Sequence, residues 1–343
     1  MKVELVKTLA ESRTVMTKHP ANYILADEHW FLPWKKYSTN DQELFLIRDA
    51  NVTDKGVVFD SLRKFDKTFV DFHLIEKYNK LYLIKVNLFY KKLRTDDNQV
   101  YVLAFDQWSA RNYYHWVIDT LSRLFIIREQ LHDAIILLPR RPCRYMYESI
   151  QFFQPKGVLE LEKHTYARVK NLYLPRPVAD SGRHDGSVLL GLKNFILSKL
   201  EWHLDDGIAG ERIYISRAKQ KARKIQNELE VQELLKAYGF SVVFFENMSF
   251  QEQISVMGKA KFVVSSHGAN LTNILFMPES AKVLEINKDQ SPNLCYYSLA
   301  SSINLEYFYQ LCPPVCEGRD IDNNADLQVD IKKLRANVEA MLL

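Results

Sequence analysis

The sequence predicts an α/β protein built from two Rossmann-like domains, the first of which has a β-rich N-terminal region. Three observations carry this prediction. Strand-like and helix-like segments alternate from about residue 100 onward, as they do in parallel sheets covered by helices. Polar turns follow two strands of the second half, and a stretch with two glycines and two acids separates the halves. A chain of 343 residues is long enough for two cores.

The first domain is predicted over residues 1–205. Its β-rich region covers residues 1–99, where residues 57–59 and 81–88 are rich in β-branched and aromatic side chains between polar turns. The pattern then alternates. Strands are predicted at 101–105, 134–138 and near 172–174, and helices at 112–131, near 145–153 and at 188–202.

The second domain is predicted over residues 206–319, with a linker at 204–210. Strands are predicted at 212–216, 240–245, 262–265 and 282–286, and helices at 227–238, 250–257 and near 270–276. Asn227 with Glu230 and Ser249 with Glu252 have the spacing of capping boxes, and Gly239 suits the position after a helix. A terminal helix is predicted over residues 325–341, in a C-terminal segment that spans 320–343.

The composition is that of a folded protein. Hydrophobic residues make up 47% of the chain and charged residues 26%, which excludes wholesale disorder. A formal net charge of +4 is too small for a typical nucleic-acid binder, so no nucleic-acid partner is expected. Basic residues are concentrated locally at Lys219, Lys221, Arg223 and Lys224, which is either a ligand-facing turn or a solvated loop.

The ends of the chain and its cysteines bear on the compartment. Residues 1–11 contain no apolar run of signal length, and no window approaches a membrane span of roughly 20 apolar residues. A cytoplasmic protein is therefore expected. The four cysteines have no paired CxxC spacing, which argues against a zinc site, and Cys312 and Cys316 are expected to be free thiols in a loop.

Two polar turns predict a site for a phosphorylated ligand. The first begins at Ser216 and Arg217 and continues to Lys224, and the second covers residues 265–273 and opens a helix. The carboxyl ends of parallel strands face the ligand crevice of an open sheet, and helix N-termini favour anions. A nucleotide site is therefore predicted at these turns.

Four sequence blocks resemble glycosyltransferase family 61. They are residues 112–116 with Asp119, residues 215–217 with 223–224 and 227–228, residues 250–253, and residues 267–269 with 271–273, 276–278 and 284–285. The resemblance covers roughly residues 111–286 and implies the GT-B architecture, with two domains facing each other across a cleft. It further implies an acceptor-side first domain, a second domain that binds a nucleotide sugar, and a C-terminal helix that could cross back to the first domain.

A base is predicted on the helix that follows the strand at 101–105. Arg111, His115 and Asp119 recur every four residues and so share one stripe of that helix. The helix dipole disfavours an imidazolium near the N-terminus, which predicts a neutral His115 available as the catalytic base. Asp119 is predicted either to orient His115 or to be the base itself. The alternative is a capping or core histidine beside a surface aspartate.

The donor diphosphate is predicted to bind at the second domain. Arg217 and Arg223 offer charge-assisted contacts to phosphate oxygens, and His267 is a candidate for the diphosphate or the sugar. Glu285 is a candidate for the ribose hydroxyls, with an exposed glutamate at a strand end as the alternative. The predicted donor-binding residues are Ser216, Arg217, Arg223, Ser266, His267, Gly268, Ala269, Asn270, Leu271 and Glu285.

No metal and no cofactor are expected. Asp320 and Asp322 have the Asp-x-Asp spacing of metal-dependent sugar transferases, but no hydrophobic strand precedes them, so a loop is predicted there. Tyr113 and Trp116 are candidates for stacking on a sugar, although aromatic residues at helical spacing are more often core.

The predicted function is a metal-independent, inverting glycosyltransferase, a hexosyl- or pentosyltransferase. It would move a sugar from a nucleotide-diphosphate donor, taken as a UDP sugar, to a hydroxyl of a bacterial capsular or other surface glycan, free or lipid-linked. A UDP-sugar epimerase or hydrolase and a non-catalytic glycan- or nucleotide-binding module are the alternatives. Peripheral contact with the inner membrane face is considered, with residues 30–36 as the candidate edge or as packed residues of the first domain, and the oligomeric state is open.

Overall fold

The chain folds into two compact units in a computed structural model that describes residues 1–200, 210–315 and 324–343. One unit comprises Met1–Thr14 and Ser38–Lys199, and the other comprises Val15–Tyr37 and Leu200–Leu343. The predicted boundary at 205 lies outside the described residues. Residues 15–37 differ from the prediction, because they belong to the second unit although they precede most of the first in sequence.

The first unit is built on one mixed sheet. In spatial order its strands are Gly157–Glu160, Ala134–Leu138, Val100–Val102, Thr165–Pro175, Gln42–Thr53, Val58–Asp60 and Arg63–Lys64, with Lys2–Ala10 paired to Gln42–Thr53 and Lys91–Arg94 paired to Thr165–Pro175. The first four run parallel, and Gln42–Thr53 joins them antiparallel. The predicted β-rich region therefore extends the parallel sheet instead of forming a layer of its own.

Helices cover this sheet. Their bounds are Phe72–Lys77, Lys80–Phe89, Tyr113–His115, Leu121–Ile126, Arg144–Ile150 and Gly186–Leu197, with 3-10 turns at Asp66–Thr68, Arg128–Gln130 and Gln151–Phe153. A π-helical segment, Trp116–Thr120, joins Tyr113–His115 to Leu121–Ile126. The long helix predicted over 112–131 is thus present with a widened turn in its middle.

The strand predicted at residues 81–88 is wrong, because these residues lie in the helix Lys80–Phe89. The side chain of Asn79 starts this helix by accepting hydrogen bonds from the backbone N–H groups of Leu81 and Tyr82. Leu83 and Val86 are buried in a cluster with Tyr90. Apolar residues also occupy the exposed face, and that second apolar face is what made the segment resemble a buried strand.

The second unit holds a parallel sheet. Its strands, in spatial order, are Ser241–Val243, Arg212–Ile215, Phe262–Ser266, Lys282–Lys288 and Glu306–Cys312. Every neighbouring pair is parallel. The helices are Glu228–Ala237, Phe250–Lys259, Cys295–Ser302 and Ile331–Leu342, with 3-10 segments at Phe245–Asn247 and Ala269–Phe276. Short strands Pro314–Val315 and Asp326–Leu327 pair antiparallel.

Residues 15–37 add a short layer to this unit. They contain the helix Glu28–Phe31 and 3-10 turns at Leu25–Asp27 and Leu32–Trp34, and strand Thr14–Met16 pairs with Lys36–Ser38. Asn22 bonds both backbone groups of Tyr309 on the edge strand. Phe31 is buried, with its ring 5.0 Å from those of Tyr297 and Tyr309. Of the 30–36 stretch, Phe31 is therefore packed in the second unit, and not in the first as the alternative held, whereas Leu32 and Pro33 are exposed.

The three predicted helix caps can be compared with the structure. Ser249 and Glu252 form the predicted capping box. Asn227 precedes its helix but makes no capping bond, because its side chain brackets the backbone of Val329 instead. Gly239 has a φ of 78° after the helix that ends at Ala237, as predicted.

The C-terminal helix Ile331–Leu342 lies on the core of the second unit. Its residues Leu334, Val338 and Met341 are buried with Leu234 and Leu235 of the helix Glu228–Ala237. This corrects the expectation that the helix could return to the first domain, because its apolar stripe is covered within the second unit. Cys312 is likewise buried at the end of a strand and not in a loop, whereas Cys316 lies outside the described residues.

Candidate functional site

His115 and Asp119 form a close pair in the first unit. Asn112 begins their helix by accepting a hydrogen bond from the N–H of Tyr114. His115 Nδ1 lies 2.7 Å from Asp119 Oδ2. Because a carboxylate oxygen accepts, Nδ1 carries the proton, and Nε2 is the nitrogen that can take another. Arg111, predicted on the same stripe, lies exposed in the turn before the helix.

The pair sits at the π-helical segment, which begins at Trp116 and includes Asp119. Single π turns inside α-helices are frequent at functional sites. Both side chains are largely buried, with 13% of His115 and 9% of Asp119 exposed. The structure therefore gives His115 a carboxylate partner, and it corrects one part of the alternative, because Asp119 is not a surface aspartate.

The charges around His115 change its pKa. Burial by itself lowers the pKa, but the hydrogen bond and the charge of Asp119, together with the charge of Asp106, outweigh burial and raise it. This corrects the expectation that the helix dipole dominates. A carboxylate that stabilises the imidazolium makes His115 a stronger base.

Two further charged residues that were not predicted from the sequence lie close enough to affect the charges of this pair. Asp106 is fully buried, and its Oδ1 accepts hydrogen bonds from the N–H groups of Trp108 and Ser109. Burial and the charge of Asp119 raise the pKa of Asp106. Arg123 is also fully buried, its Nε donates to the carbonyl of Pro175, and burial lowers its pKa to about 10. The spacing of apolar residues in a sequence predicts which apolar side chains are buried, and it does not predict which charged side chains are.

An exposed tryptophan stands beside the pair. The ring of Trp108 is roughly parallel to that of His115, with centroids 6.0 Å apart, and 42% of the residue is exposed. The predicted aromatic candidates lie elsewhere. Trp116 is fully buried and donates to Ser149, and Tyr113 lies edge-on to Tyr145. Trp108 therefore presents an exposed aromatic surface beside His115.

A cavity of about 200 Å³ lies in the second unit at the carboxyl ends of its strands. Two predicted donor residues, Arg223 and His267, line it together. Sequence reasoning missed Asn287, Lys288, Asn293 and Asn324, which also line it. Arg223 and Lys288 contribute positive charge, and the asparagines contribute amide donors and acceptors, so the cavity suits a polar anion.

His267 is held by a buried carboxylate. Its Nδ1 lies 2.5 Å from Oε1 of Glu285, and Oε2 of Glu285 accepts a hydrogen bond of 2.6 Å from the hydroxyl of Tyr307. Glu285 is fully buried. The structure thus replaces both expectations for Glu285, the ribose ligand and the exposed glutamate, with a residue that orients His267.

Arg217 lies beside this cavity without lining it. Its guanidinium is mostly buried, and Nε and Nη2 donate to the carbonyls of Arg223 and Ala222 at 3.3 and 3.2 Å. A Cβ added to Gly268 would lie 1.9 Å from Arg217 Nη1. Gly268 therefore leaves room for Arg217, and Arg217 fastens the turn that carries Arg223.

Some of the other predicted donor residues are buried in the second unit, and others are partly exposed at its surface. The Ser216 hydroxyl is buried and donates to Glu228 at 2.5 Å, and Leu271 is fully buried in the core. Ser266 is buried at the strand end, whereas Ala269 and Asn270 are partly exposed at the start of the segment Ala269–Phe276. The first bond of that segment runs from Leu271 N–H to the carbonyl of Gly268, so the amides of Ala269 and Asn270 precede it.

Within residues 1–200, 210–315 and 324–343, no three His, Cys, Asp or Glu side chains gather as a metal-binding group. Asp320 and Asp322 lie outside these ranges. In the part of the chain that the structure describes, no helix has the length and apolarity to cross a membrane.

Residues 113–284, about half of the chain, match the glycosyltransferase 61 family. This chain belongs to glycosyltransferase family 61. The matched segment includes His115, Asp119, Arg217, Arg223 and His267, and Glu285 follows it directly.

Curated relatives are similar over part of their length. The EGF domain-specific O-linked N-acetylglucosamine transferase of Drosophila melanogaster is 29% identical over 140 residues, which are 40% of this chain and 26% of that protein. The protein O-linked-mannose β-1,4-N-acetylglucosaminyltransferase 2 of Canis lupus familiaris is 24% identical over 287 residues, which are 74% of this chain and 49% of that protein. The Bos taurus protein of the same name is 25% identical over 293 residues, again 74% of this chain and 49% of that protein. The chain thus spans between a quarter and a half of these relatives.

Proposed function

We propose that this family 61 protein is an inverting glycosyltransferase that transfers a sugar from a UDP sugar to a hydroxyl of a glycan. The observation that carries the proposal is the His115–Asp119 pair, a base with its carboxylate partner in the segment that matches the family. The relatives are named as N-acetylglucosamine transferases. UDP-N-acetylglucosamine is therefore the first donor to test.

In the proposed reaction, Nε2 of His115 takes the proton of the acceptor hydroxyl. At the same time the oxygen of that hydroxyl forms a bond to the anomeric carbon of the donor sugar. The bond from that carbon to the diphosphate breaks, and UDP leaves with the electron pair. Asp119 stabilises the imidazolium that forms, and loss of such a base typically lowers the rate by about 10²- to 10⁴-fold. Trp108 is proposed to stack on a sugar ring beside the base.

The cavity of the second unit is proposed to hold the donor diphosphate without a metal ion. Arg223 and Lys288 line it and supply positive charge, and His267 can donate a hydrogen bond when its Nε2 is protonated. Glu285 fixes the orientation of His267, and the bond to Tyr307 fixes Glu285. Arg217 is proposed to act through the turn that it fastens and not as a ligand of the phosphates.

The acceptor is proposed to be a surface glycan, free or lipid-linked, and the site of action the cytoplasm. The GT-B arrangement of the two domains stays a prediction from the sequence.

The test compares His115→Gln with His132→Gln. His132 is a matched control in the same unit, because it also pairs with an aspartate, Asp133 at 3.2 Å, but both are almost fully exposed. UDP release from UDP-N-acetylglucosamine should fall by about 10²- to 10⁴-fold in His115→Gln. It should stay within about twofold in His132→Gln, since surface substitutions away from a site are nearly neutral. Donor affinity, measured by calorimetry with a chelator present, should be unchanged in both.

Several outcomes would contradict the proposal. A folded His115→Gln variant within about tenfold of the original rate would remove the base from the mechanism. A new sugar isomer without released UDP would identify an epimerase, and donor binding without any turnover would identify a binding module. Donor binding that disappears with chelator and returns with manganese would overturn the metal-free part and direct attention to Asp320 and Asp322.

A further inference from the structure

The helix Lys80–Phe89 of the first unit exposes an apolar face. Its inner residues Leu83 and Val86 are buried in a core cluster. On the outside, Leu81 is 75% exposed, Ile84 41% and Leu88 69%. Residues spaced by three and four lie one above the other on a helix, so these three form one continuous stripe.

The apolar surface extends beyond the stripe. Phe89, the last residue of the helix, is 73% exposed. Asn87 donates from Nδ2 to the carbonyl of Ser61, which fixes the helix against the turn between two strands. Leu62 in that turn is 44% exposed. Scattered single apolar residues are normal on protein surfaces, but a contiguous group of this kind marks an interaction site.

Basic residues occur on this helix and on both sides of it in sequence. From residue 77 to residue 95 the sequence contains Lys77, Lys80, Lys85, Lys91, Lys92 and Arg94 and no acidic residue. All six are exposed. Leu229, a helical residue with 76% exposure in the second unit, stands between Glu228 and Glu230 and so offers a comparison with the opposite surroundings.

An exposed apolar face that is accompanied by basic residues favours some binding partners over others. A second copy of the same surface would bring six cations against six, which disfavours self-association. An anionic lipid surface satisfies both features, because apolar side chains insert at the acyl boundary while lysines bury their stems and keep their ammonium groups among the headgroups.

We propose that the Lys80–Phe89 helix and the adjoining Leu62 turn bind an anionic lipid surface in the interfacial plane. The contact is peripheral, and it lies on a different segment from the 30–36 stretch considered in the sequence, of which Phe31 is buried. The proposal does not rest on the proposed enzymatic function. It concerns where the protein binds and not what it catalyses.

The test is flotation of the full chain with phosphatidylcholine vesicles, with and without phosphatidylglycerol, at low and high salt. We expect recovery with the anionic vesicles at low salt and loss of recovery at high salt. Each basic residue near an anionic surface contributes about a fivefold change in partitioning, so Lys80→Gln with Lys85→Gln, which lie on the same helix on either side of the stripe, should lower it roughly 25-fold. Leu88→Ser with Phe89→Ser should lower it at least about tenfold.

The control is Leu229→Ser, which removes an equally exposed helical leucine and should leave flotation within about twofold. Equal recovery on vesicles without phosphatidylglycerol, or no recovery on either, would overturn the proposal. So would Leu88 and Phe89 variants that float like the original chain. If those variants instead abolish a concentration-dependent dimer in sedimentation equilibrium without changing flotation, the surface binds a second copy and the lipid proposal is wrong.

Discussion

Substitution of Gly268 by alanine tests how the donor turn is held. The added Cβ would lie 1.9 Å from Nη1 and 2.6 Å from Cζ of Arg217. Both distances are far below van der Waals contact, so the guanidinium must leave its position. Specific contacts hold the guanidinium in that position, because Arg217 is mostly buried and donates hydrogen bonds to the carbonyls of Ala222 and Arg223. Displacement of Arg217 therefore releases the turn that leads to Arg223.

The magnitude follows from these two hydrogen bonds. Hydrogen bonds to a charged group contribute about 1.5 to 3 kcal/mol each. At 3.2 and 3.3 Å they are long, and the released carbonyls gain water, so we expect a combined loss of about 2 to 4 kcal/mol. A local loss of ~2 kcal/mol increases the open population of the turn about 30-fold. Arg223, with a φ of 58°, depends on this turn for its backbone conformation.

Hydrogen exchange measures the effect at three amides of the turn. The N–H of Gln220 bonds the carbonyl of Arg217, that of Arg223 bonds the carbonyl of Asn324, and that of Lys224 bonds Asp326. In Gly268→Ala these amides should exchange about 30-fold faster or more, and the affinity for UDP should fall. Gly157→Ala is the control, because no atom lies within 4 Å of its added Cβ.

The decisive comparison is the double variant. In Arg217→Ala the guanidinium is absent, so Gly268→Ala should add less than about 0.5 kcal/mol to the effect of Arg217→Ala alone. Two outcomes would refute the reasoning. One is a Gly268→Ala effect that is as large without Arg217 as with it, and the other is an effect no larger than that of Gly157→Ala.

Two predictions follow from the pKa directions. Only neutral His115 accepts a proton, so turnover should fall as pH decreases through its raised pKa. In Asp119→Asn the charge of Asp119 is gone and burial has more weight, so the acid limb of the pH–rate profile should move to lower pH. An acid limb at the same pH in this variant would show that Asp119 is not the partner of the base. Burial, with the charge of Arg183, lowers the pKa of His184 to about 3. As the pH is lowered below about 6.5, the unfolded chain therefore binds a proton at His184 and the native state does not. Urea unfolding should show that stability falls by up to about 1.4 kcal/mol for each unit by which the pH is lowered between about 6.5 and about 3. His184→Gln should lose that part of the slope, and an identical slope would contradict the assignment.

The second unit was the more predictable part of the fold, for a physical reason. Its strands are short apolar runs buried on both faces, such as Phe262–Ser266, and they alternate with amphipathic helices such as Phe250–Lys259. Each of those patterns has one stable solution, a parallel sheet covered by helices. The helix Cys295–Ser302 and strand Glu306–Cys312 were missed because tyrosines and serines interrupt their apolar pattern.

Other features depend on partners far away in sequence. Asn227 has the spacing of a cap, but the backbone of Val329 competes for its side chain across 102 positions. The helix Lys80–Phe89 has apolar residues on both faces, so periodicity alone could not distinguish it from a buried strand. Neither outcome follows from local propensity, because tertiary contacts decide which of two local solutions forms.

The candidate site contains the same contrast in its two histidine–carboxylate pairs. His115 and Asp119 are four residues apart on one helical segment, so their spacing was sufficient to predict that they meet. His267 and Glu285 are 18 positions apart. They meet because His267 directly follows the strand Phe262–Ser266, and that strand pairs with the strand Lys282–Lys288 so that Ser265 lies beside Glu285. In both pairs Nδ1 faces the carboxylate, which leaves Nε2 as the nitrogen able to exchange a proton or contact a ligand. The difference lies in the carboxylates. Asp119 is partly exposed, whereas Glu285 is fully buried and held on its second oxygen by Tyr307, so Glu285 is suited to orienting its histidine and not to contacting substrate.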